Sequence, residues 1–216
     1  MIKQQNPSKE LLTNTNIPAE FKNSMYSDYN AEIGDPKIIK VLREWEPTVK
    51  RPSLLFYGNP GLAKTMLASA TLNEYHALCK VPAKAEGSTR LRMKQERSPV
   101  YFVQLAEWIS LQHRSFQLND RYRRGDVDVS ECVEIDNLIQ DIYHRVEILV
   151  IDDVGKEHRT QTEFTEDSVD FLLRTRHNHG LSTVFTTNIP LSRWSGKYAK
   201  SMESFIRRTC VMLEFR

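Results

Sequence analysis

The chain has 216 residues and a net charge of +2, because 30 lysines and arginines nearly balance 28 aspartates and glutamates. This length allows one domain with a full α/β core, and the charge argues neither for nor against a nucleic-acid partner. Cys79, Cys132 and Cys210 lie far apart, which excludes a disulfide framework or a zinc module. Because no stretch is apolar enough for a signal region or a membrane span, we predict a cytoplasmic protein with no membrane partner.

Residues 1–30 are polar and predict an extended arm that serves as a partner-binding segment. Its apolar anchors are Ile17, Pro18 and Phe21. The remaining residues, 31–216, are predicted to form the core domain.

The core begins with Asp35-Pro36, which supplies a helix N-cap and an N1 proline. Apolar runs then predict strands, and helical periodicity fills the segments between them. The runs lie at 53–57, 100–103, 147–151, 182–186 and 211–215. Strands that alternate with helices predict an α/β fold with a mainly parallel, five-stranded sheet.

The first strand leads into a glycine loop that has the layout of a phosphate-binding P-loop. Such a loop turns backbone N–H groups toward an anion, and the helix that follows adds its dipole. Lys64 is expected to reach the terminal phosphates and Thr65 to ligate Mg²⁺. The predicted nucleotide-binding residues are Gly58, Asn59, Pro60, Gly61, Leu62, Ala63, Lys64, Thr65 and Met66.

One position departs from the pattern G-x-x-x-x-G-K-S/T, because Ala63 stands where the second glycine is expected. If Ala63 adopts a positive φ, the strain is about 1–2 kcal/mol. That strain is expected to weaken nucleotide binding without abolishing it. On the loop alone, a simple glycine turn between a strand and a helix remains an alternative.

Two further strands end in polar residues, and ligands of open α/β sheets bind at the carboxyl ends of strands. Asp152 and Asp153 follow an almost wholly apolar strand, and Thr187-Asn188 end the next one. Asp152 is expected to hold Mg²⁺, Asp153 to orient or deprotonate the attacking water, and Asn188 to bond the γ-phosphate or that water. Taken alone, the two aspartates also fit a turn or a helix cap.

Three segments carry a resemblance to a known family. The loop 58–65 resembles the AAA+ Walker A motif, and Val150 to Glu157 resembles the "hhhDDhGxE" Walker B of DnaC/DnaI-type helicase loaders and IstB-like transposition ATPases. The segment 185–194 is similar to their sensor 1, a strand that ends in T-S/T-N before a P-L-x-x-W loop. The resemblance covers roughly residues 15–215 and implies a three-layer AAA+ core. Because the chain stops at Arg216, the resemblance predicts a core without the C-terminal helical lid.

The resemblance also implies that ATP binds between self-associating subunits, one of which supplies an arginine in trans. Arg208 is the first choice and Arg207 the second, the alternative being a solvated pair at a helix end. Loaders hold single-stranded DNA on basic surfaces, for which the candidates are the loop Lys84 to Arg97 and a second predicted basic loop. The second loop comprises Arg121, Tyr122, Arg123 and Arg124.

We therefore predict an ATP- and Mg²⁺-dependent helicase loader that delivers a ring helicase to single-stranded DNA, with slow hydrolysis because of Ala63. Two alternatives stay open. One is an IstB-like transposition regulator with the same core and a transposase as its partner. The other is a non-hydrolysing adaptor or helicase inhibitor that keeps only the fold.

Overall fold

A computed structural model describes most of the chain. The described residues are 15–30, 34–45, 53–80, 99–126, 129–155, 162–190, 193–194 and 200–216. No helix within these ranges has a stretch long and apolar enough to cross a membrane.

The described residues form strands that alternate with helices. The strands are β1 (Ser53–Gly58), β2 (Val100–Gln104), β3 (Ile148–Asp152), β4 (Ser182–Thr187) and β5 (Cys210–Phe215). The helices are α1 (Pro36–Glu44), α2 (Lys64–Lys80), α3 (Leu105–Arg124), α4 (Val129–His144), α5 (Thr162–Asn178) and α6 (Lys200–Thr209). As predicted, the Asp35 side chain caps α1 by accepting a hydrogen bond from the Lys37 N–H, and Pro36 is its first residue.

The strands form one sheet in the order β2-β3-β4-β1-β5, and every neighbouring pair is parallel. The predicted five-stranded, mainly parallel α/β fold is therefore confirmed. The central strands β3, β4 and β1 are adjacent, so their carboxyl ends meet at one edge of the sheet.

Helices cover both faces of the sheet, as a buried parallel sheet requires. Side chains of a strand alternate between faces, so Leu55 of β1 belongs to the apolar cluster that includes residues of α3, α4, α5 and α6. Leu54 and Phe56 belong to the cluster that includes residues of α1 and α2. Two apolar cores result, one on each face of the sheet.

Residues 15–30 lie along the second core. The edge strand β2 donates its Phe102 N–H to the Thr15 carbonyl, and the Asn16 amide donates to the Phe102 carbonyl. Tyr26 is buried and bonds Thr71 of α2, and burial raises the pKa of Tyr26 to about 12.

The predicted anchor Ile17 packs against the same core. Phe21 contributes its carbonyl, which accepts a hydrogen bond from the Asn73 amide. The segment therefore covers one sheet edge and the helix that follows the P-loop. The domain boundary at residue 30 stays a prediction.

One predicted loop is part of a helix. Residues 121–124 form the last turn of α3, which ends at Gly125 in the left-handed conformation (φ +82°). Basic side chains at a helix C-terminus interact favourably with its dipole, and glycine is the preferred residue just beyond the end. These two local signals explain why the helix extends through a run that looked like a charged loop.

Candidate functional site

The turn between β1 and α2 has the predicted P-loop layout. The strand ends at Gly58, and α2 starts at Lys64. Ala63 has φ +57°, and its carbonyl accepts the first hydrogen bond of the helix, from the Leu67 N–H. The sequence predicted backbone strain if Ala63 adopted a positive φ, and the structure gives Ala63 such a φ.

Gly58 is required because the backbone of β5 passes against it. A Cβ atom built on Gly58 would lie 2.0 Å from the Phe215 carbonyl oxygen. Its φ of +139° also lies outside the range that other residues adopt readily. The end of β5 thus fixes the position of the loop.

Lys64 is buried, with 6% of its surface exposed, and its amine folds back over the loop. The Nζ atom donates to the carbonyl of Gly58 at 3.0 Å and to that of Asn59. An ammonium group held by two carbonyl dipoles in a buried place is suited to exchange those partners for phosphate oxygens.

The first residues of α2 meet the end of β3. The Thr65 hydroxyl donates to Asp152 Oδ1 at 2.9 Å, and the Thr186 hydroxyl of β4 donates to the same oxygen. Two residues that the sequence proposed for metal binding, Thr65 and Asp152, are therefore in direct contact although 87 positions separate them.

Asp153 and Asn188 directly follow the neighbouring strands β3 and β4, so both lie at the same sheet edge as the P-loop. Asp153 has φ +60°, and its N–H donates to the Thr186 hydroxyl at 3.0 Å. Asn188 is half-buried. The structure thus gathers the predicted residues of three strand ends, and their catalytic roles stay predictions.

A cavity of about 190 Å³ opens beside the P-loop. One wall comes from the N-terminal segment, one from the loop and α2, and one from the end of β5. The lining residues are Asp28, Tyr29, Asn30, Gly34, Gly61, Leu62, Ala63, Met66, Phe215 and Arg216. Burial first and the Asp35 charge second raise the pKa of Tyr29, so its hydroxyl stays neutral.

The sequence prediction included the loop residues and Met66 of this cavity but missed the residues that line it from the N-terminal side and from the end of β5. These are Asp28, Tyr29, Asn30, Gly34, Phe215 and Arg216. No motif marks those residues, since they reach the cavity only through the packing of chain segments that are far apart in sequence.

The two candidate trans arginines lie in the last turn of α6 and differ in their contacts. Arg207 donates twice to Glu203 of its own helix, at 3.0 and 2.8 Å. Arg208 is exposed and lies over the Phe205 ring, 5.9 Å from its centroid, and Arg174 of α5 lies 4.9 Å from the same centroid. Within the part of the chain that the structure describes, Arg207 therefore pairs with a carboxylate, whereas Arg208 lies near an aromatic ring.

The basic end of α3 is exposed, and Tyr122 has 47% of its surface accessible. Arg124 pairs with Asp120 at 3.0 Å and with Asp126 at 3.8 Å, so part of the positive charge is neutralised. The other predicted basic loop, Lys84 to Arg97, lies outside the described residues.

The side chains gathered at this site, Lys64, Thr65 and Asp152, are of the types that bind a magnesium–nucleotide complex. The described ranges contain no cluster of three His, Cys, Asp or Glu side chains that would hold a metal by itself. Mg²⁺ in phosphate sites takes one or two protein oxygens and completes its shell with phosphates and water, and the Thr65–Asp152 pair offers such oxygens. The buried Lys64 amine supplies the matching positive charge for phosphate.

Comparison of the whole fold with solved structures finds several that are similar. No protein-family model matches the sequence, and no curated protein matches it. The crystal structure of DnaI superposes with a TM-score of 0.60 at 21% identity, covering 92% of this chain and 94% of DnaI. The DnaC helicase loader gives 0.59 at 19% identity, covering 92% of this chain and 100% of that structure.

The replication initiator DnaA bound to AMPPCP and single-stranded DNA is also similar. Its TM-score is 0.59 at 14% identity, and the match covers 93% of this chain and 51% of DnaA. The chain therefore has the AAA+ P-loop fold. More narrowly, the fold is that of the DnaC/DnaI type over nearly its whole length, which confirms the predicted resemblance at the level of the fold.

Proposed function

We propose that this protein is an ATP-dependent helicase loader of the DnaC/DnaI type. The observation that carries the proposal is the contact of Thr65 with Asp152 beside the buried Lys64, within a fold that matches two loader structures over more than nine-tenths of this chain. The proposed protein binds ATP and Mg²⁺, self-associates, holds single-stranded DNA and delivers a ring helicase to it.

In this proposal the residues at the ends of β1, β3 and β4 have separate roles in binding and hydrolysing ATP. Lys64 exchanges its loop carbonyls for the terminal phosphates, and Thr65 and Asp152 hold Mg²⁺, which neutralises the phosphate charge. Asp153 orients or deprotonates the attacking water. Asn188 hydrogen-bonds the γ-phosphate or that water and so distinguishes ATP from ADP.

The first test is nucleotide binding by Lys64→Ala, measured with a fluorescent ATP analogue in the presence of Mg²⁺. Loss of the buried ammonium should weaken binding by at least about tenfold, since charge-assisted hydrogen bonds to phosphate are among the strongest contacts available. Lys40→Ala is the matched control, because Lys40 is exposed on α1 and pairs only loosely with Glu44 at 4.0 Å. Equal affinities for the three proteins would refute a nucleotide site at this loop.

Arg208 is the better candidate for the trans arginine because Arg207 already bonds Glu203. Arg208→Ala should bind nucleotide normally and lose turnover by about 10³-fold, as expected for a finger that stabilises the transition state. A solvated arginine would leave turnover unchanged.

A mixing experiment shows whether Arg208 acts between subunits. Arg208→Ala and Lys64→Ala are each inactive alone, but the Lys64→Ala subunit can supply its intact Arg208 to the intact P-loop of the other variant. Turnover should therefore return on mixing. The control partner carries both substitutions and should restore nothing. Failure of the first mixture to recover turnover would refute the trans role.

The proposed DNA surface includes the exposed end of α3. The double variant Arg121→Ala/Arg123→Ala should bind a single-stranded oligonucleotide more weakly, and its salt slope should fall by about 1.4 if two phosphate contacts are lost. The control is Lys37→Ala/Lys40→Ala on α1. An unchanged salt slope in the α3 variant would refute this surface.

The partner is tested by co-purification with a replicative ring helicase and, in parallel, with a transposase. ATP-dependent capture of the helicase and loss of capture by Lys64→Ala support the loader. Capture of the transposase alone supports the IstB-like regulator. Helicase capture that is insensitive to Lys64→Ala, without turnover, supports the non-hydrolysing adaptor.

A further inference from the structure

The Thr186 side chain sits between the two aspartates of the candidate site. It is buried at the end of β4, with 1% of its surface exposed. Its hydroxyl accepts a hydrogen bond from the Asp153 N–H at 3.0 Å and donates to Asp152 Oδ1. Because a hydroxyl has one proton and the N–H can only donate, the direction of both bonds is fixed.

The Asp152 oxygen is therefore held from two sides. Thr65 donates to it from α2, and Thr186 donates to it from β4. Under the proposed function the Thr65 oxygen also ligates the metal while its proton stays on Asp152, so the position of Thr65 has to suit both partners. The Thr186 hydroxyl contacts no metal in this proposal, so it orients the carboxylate independently of the metal.

The same strand end also fixes the turn that carries Asp153. The Val154 N–H donates to the Thr186 carbonyl at 2.9 Å, and the Thr187 hydroxyl donates to the Val154 carbonyl at 2.6 Å. Asp153 itself has φ +60°, in the left-handed region that aspartate adopts more often than most residues other than glycine. Three hydrogen bonds with β4 stabilise the turn in this conformation, one of them donated by the Asp153 N–H to the Thr186 hydroxyl.

We propose that Thr186 is a positioning residue that orients the Asp152 carboxylate and the Asp153 turn for a magnesium–nucleotide complex. This inference rests on the proposed function, since it assigns a role within the same site. The Thr186 hydroxyl joins the end of β3 to β4. In this proposal one side chain therefore fixes the orientation of both the metal-binding Asp152 and the water-activating Asp153.

Thr186→Val and Thr186→Ser test this role, because valine has the same shape without the hydroxyl and serine keeps the hydroxyl. The measurement is a Mg²⁺ titration of fluorescent ATP-analogue binding, repeated in EDTA. Outer-shell partners of metal sites typically contribute about 10–100-fold in metal affinity. Thr186→Val should therefore need at least about tenfold more Mg²⁺ for half-maximal binding, while its affinity in EDTA stays that of the wild type. Thr186→Ser should restore the wild-type titration.

Thr209→Val is the matched control, since it removes a buried threonine hydroxyl that donates to the Phe205 carbonyl in α6. It should leave the Mg²⁺ titration unchanged. A purely structural role for Thr186 predicts that its valine variant loses binding equally with and without Mg²⁺, or that serine does not rescue. Either result would overturn the proposal.

Hydrogen exchange provides a second test that does not need nucleotide. In Thr186→Val the Asp153 N–H loses its acceptor, so amide exchange at 153–154 should become at least about tenfold faster, with Thr186→Ser close to the wild type. Unchanged exchange would refute the positioning of the turn. If the wild type binds no nucleotide while exchange responds as expected, the proposed function fails and the role of Thr186 in the turn stands.

Discussion

The substitution Ala63→Gly measures how much strain the P-loop stores. A residue with a Cβ in the left-handed region, as at φ +57° here, is destabilised by about 1–2 kcal/mol. Glycine removes that strain but gives the unfolded chain more freedom, which costs about 0.5–1 kcal/mol. The net expectation is a stabilisation of about 0–1.5 kcal/mol, centred on about 0.75, or a rise in Tm of up to about 6 °C for a chain of this size.

The positive φ of Ala63 strains the folded chain itself. If the loop keeps this φ when nucleotide binds, the strain lowers the stability of the fold and not, as the sequence suggested, the affinity for ATP. Ala63→Gly should therefore change the dissociation constant of a fluorescent ATP analogue by less than about threefold, which corresponds to about 0.7 kcal/mol. A gain in affinity of about 5–30-fold would correspond to the full strain energy. That result would refute this reasoning, because it would mean that the bound nucleotide imposes the strained conformation.

Ala77→Gly is the matched control because Ala77 is exposed in the interior of the same helix, α2. In an ordinary helical position glycine should lower stability by about 0.5–1 kcal/mol. Urea unfolding of both variants without nucleotide should thus give changes of opposite sign. If Ala63→Gly lowers stability as much as Ala77→Gly does, Ala63 is not strained in the folded protein.

Three further changes test contacts around the site. Asn73→Ala removes an amide that donates to two carbonyls of the N-terminal segment and should lower the free energy of unfolding by about 1–3 kcal/mol; no change in urea unfolding would contradict this. Gly155→Ala places a Cβ 2.5 Å from Ile189 Cδ1 at φ +98°. It should destabilise the fold by about 1–3 kcal/mol and weaken Mg²⁺-dependent nucleotide binding, whereas wild-type behaviour would show that the turn adapts. Cys210 is half-buried, and burial raises the pKa of its thiol to about 12, so it should react with iodoacetamide at pH 8 more slowly in the folded than in the unfolded protein; equal rates by peptide mapping would contradict this.

The sequence could predict which residues meet at this edge of the sheet because its signals are local. The glycine loop and Lys64-Thr65 occupy consecutive positions, and the polar residues of β3 and β4 directly follow apolar runs. A parallel sheet brings the carboxyl ends of its strands to one edge, so local patterns at Asp152 and Asn188 were enough to place both at that edge.

Contacts between distant segments were not predictable in this way. Tyr26 meets Thr71 across 45 positions, and Asn16 meets Phe102 across 86. No periodicity specifies such pairs, because they depend on which helix face and which sheet edge remain uncovered once the core has formed. The cavity wall formed by Asp28, Tyr29, Asn30 and Gly34 depends on the same packing.

The register of β4 decides whether the candidate site can function. Phe56 of β1 lies opposite Thr186, and Tyr57 lies opposite Thr187. Successive side chains point to opposite faces of a strand, so a shift of one residue would exchange these two threonines. Thr186 would then lose Asp152, and Thr187 would lose the Val154 carbonyl. Because the apolar side chains of β4 are buried on both faces of the sheet, the same packing that fixes the core also fixes which hydroxyl reaches the Asp152 carboxylate.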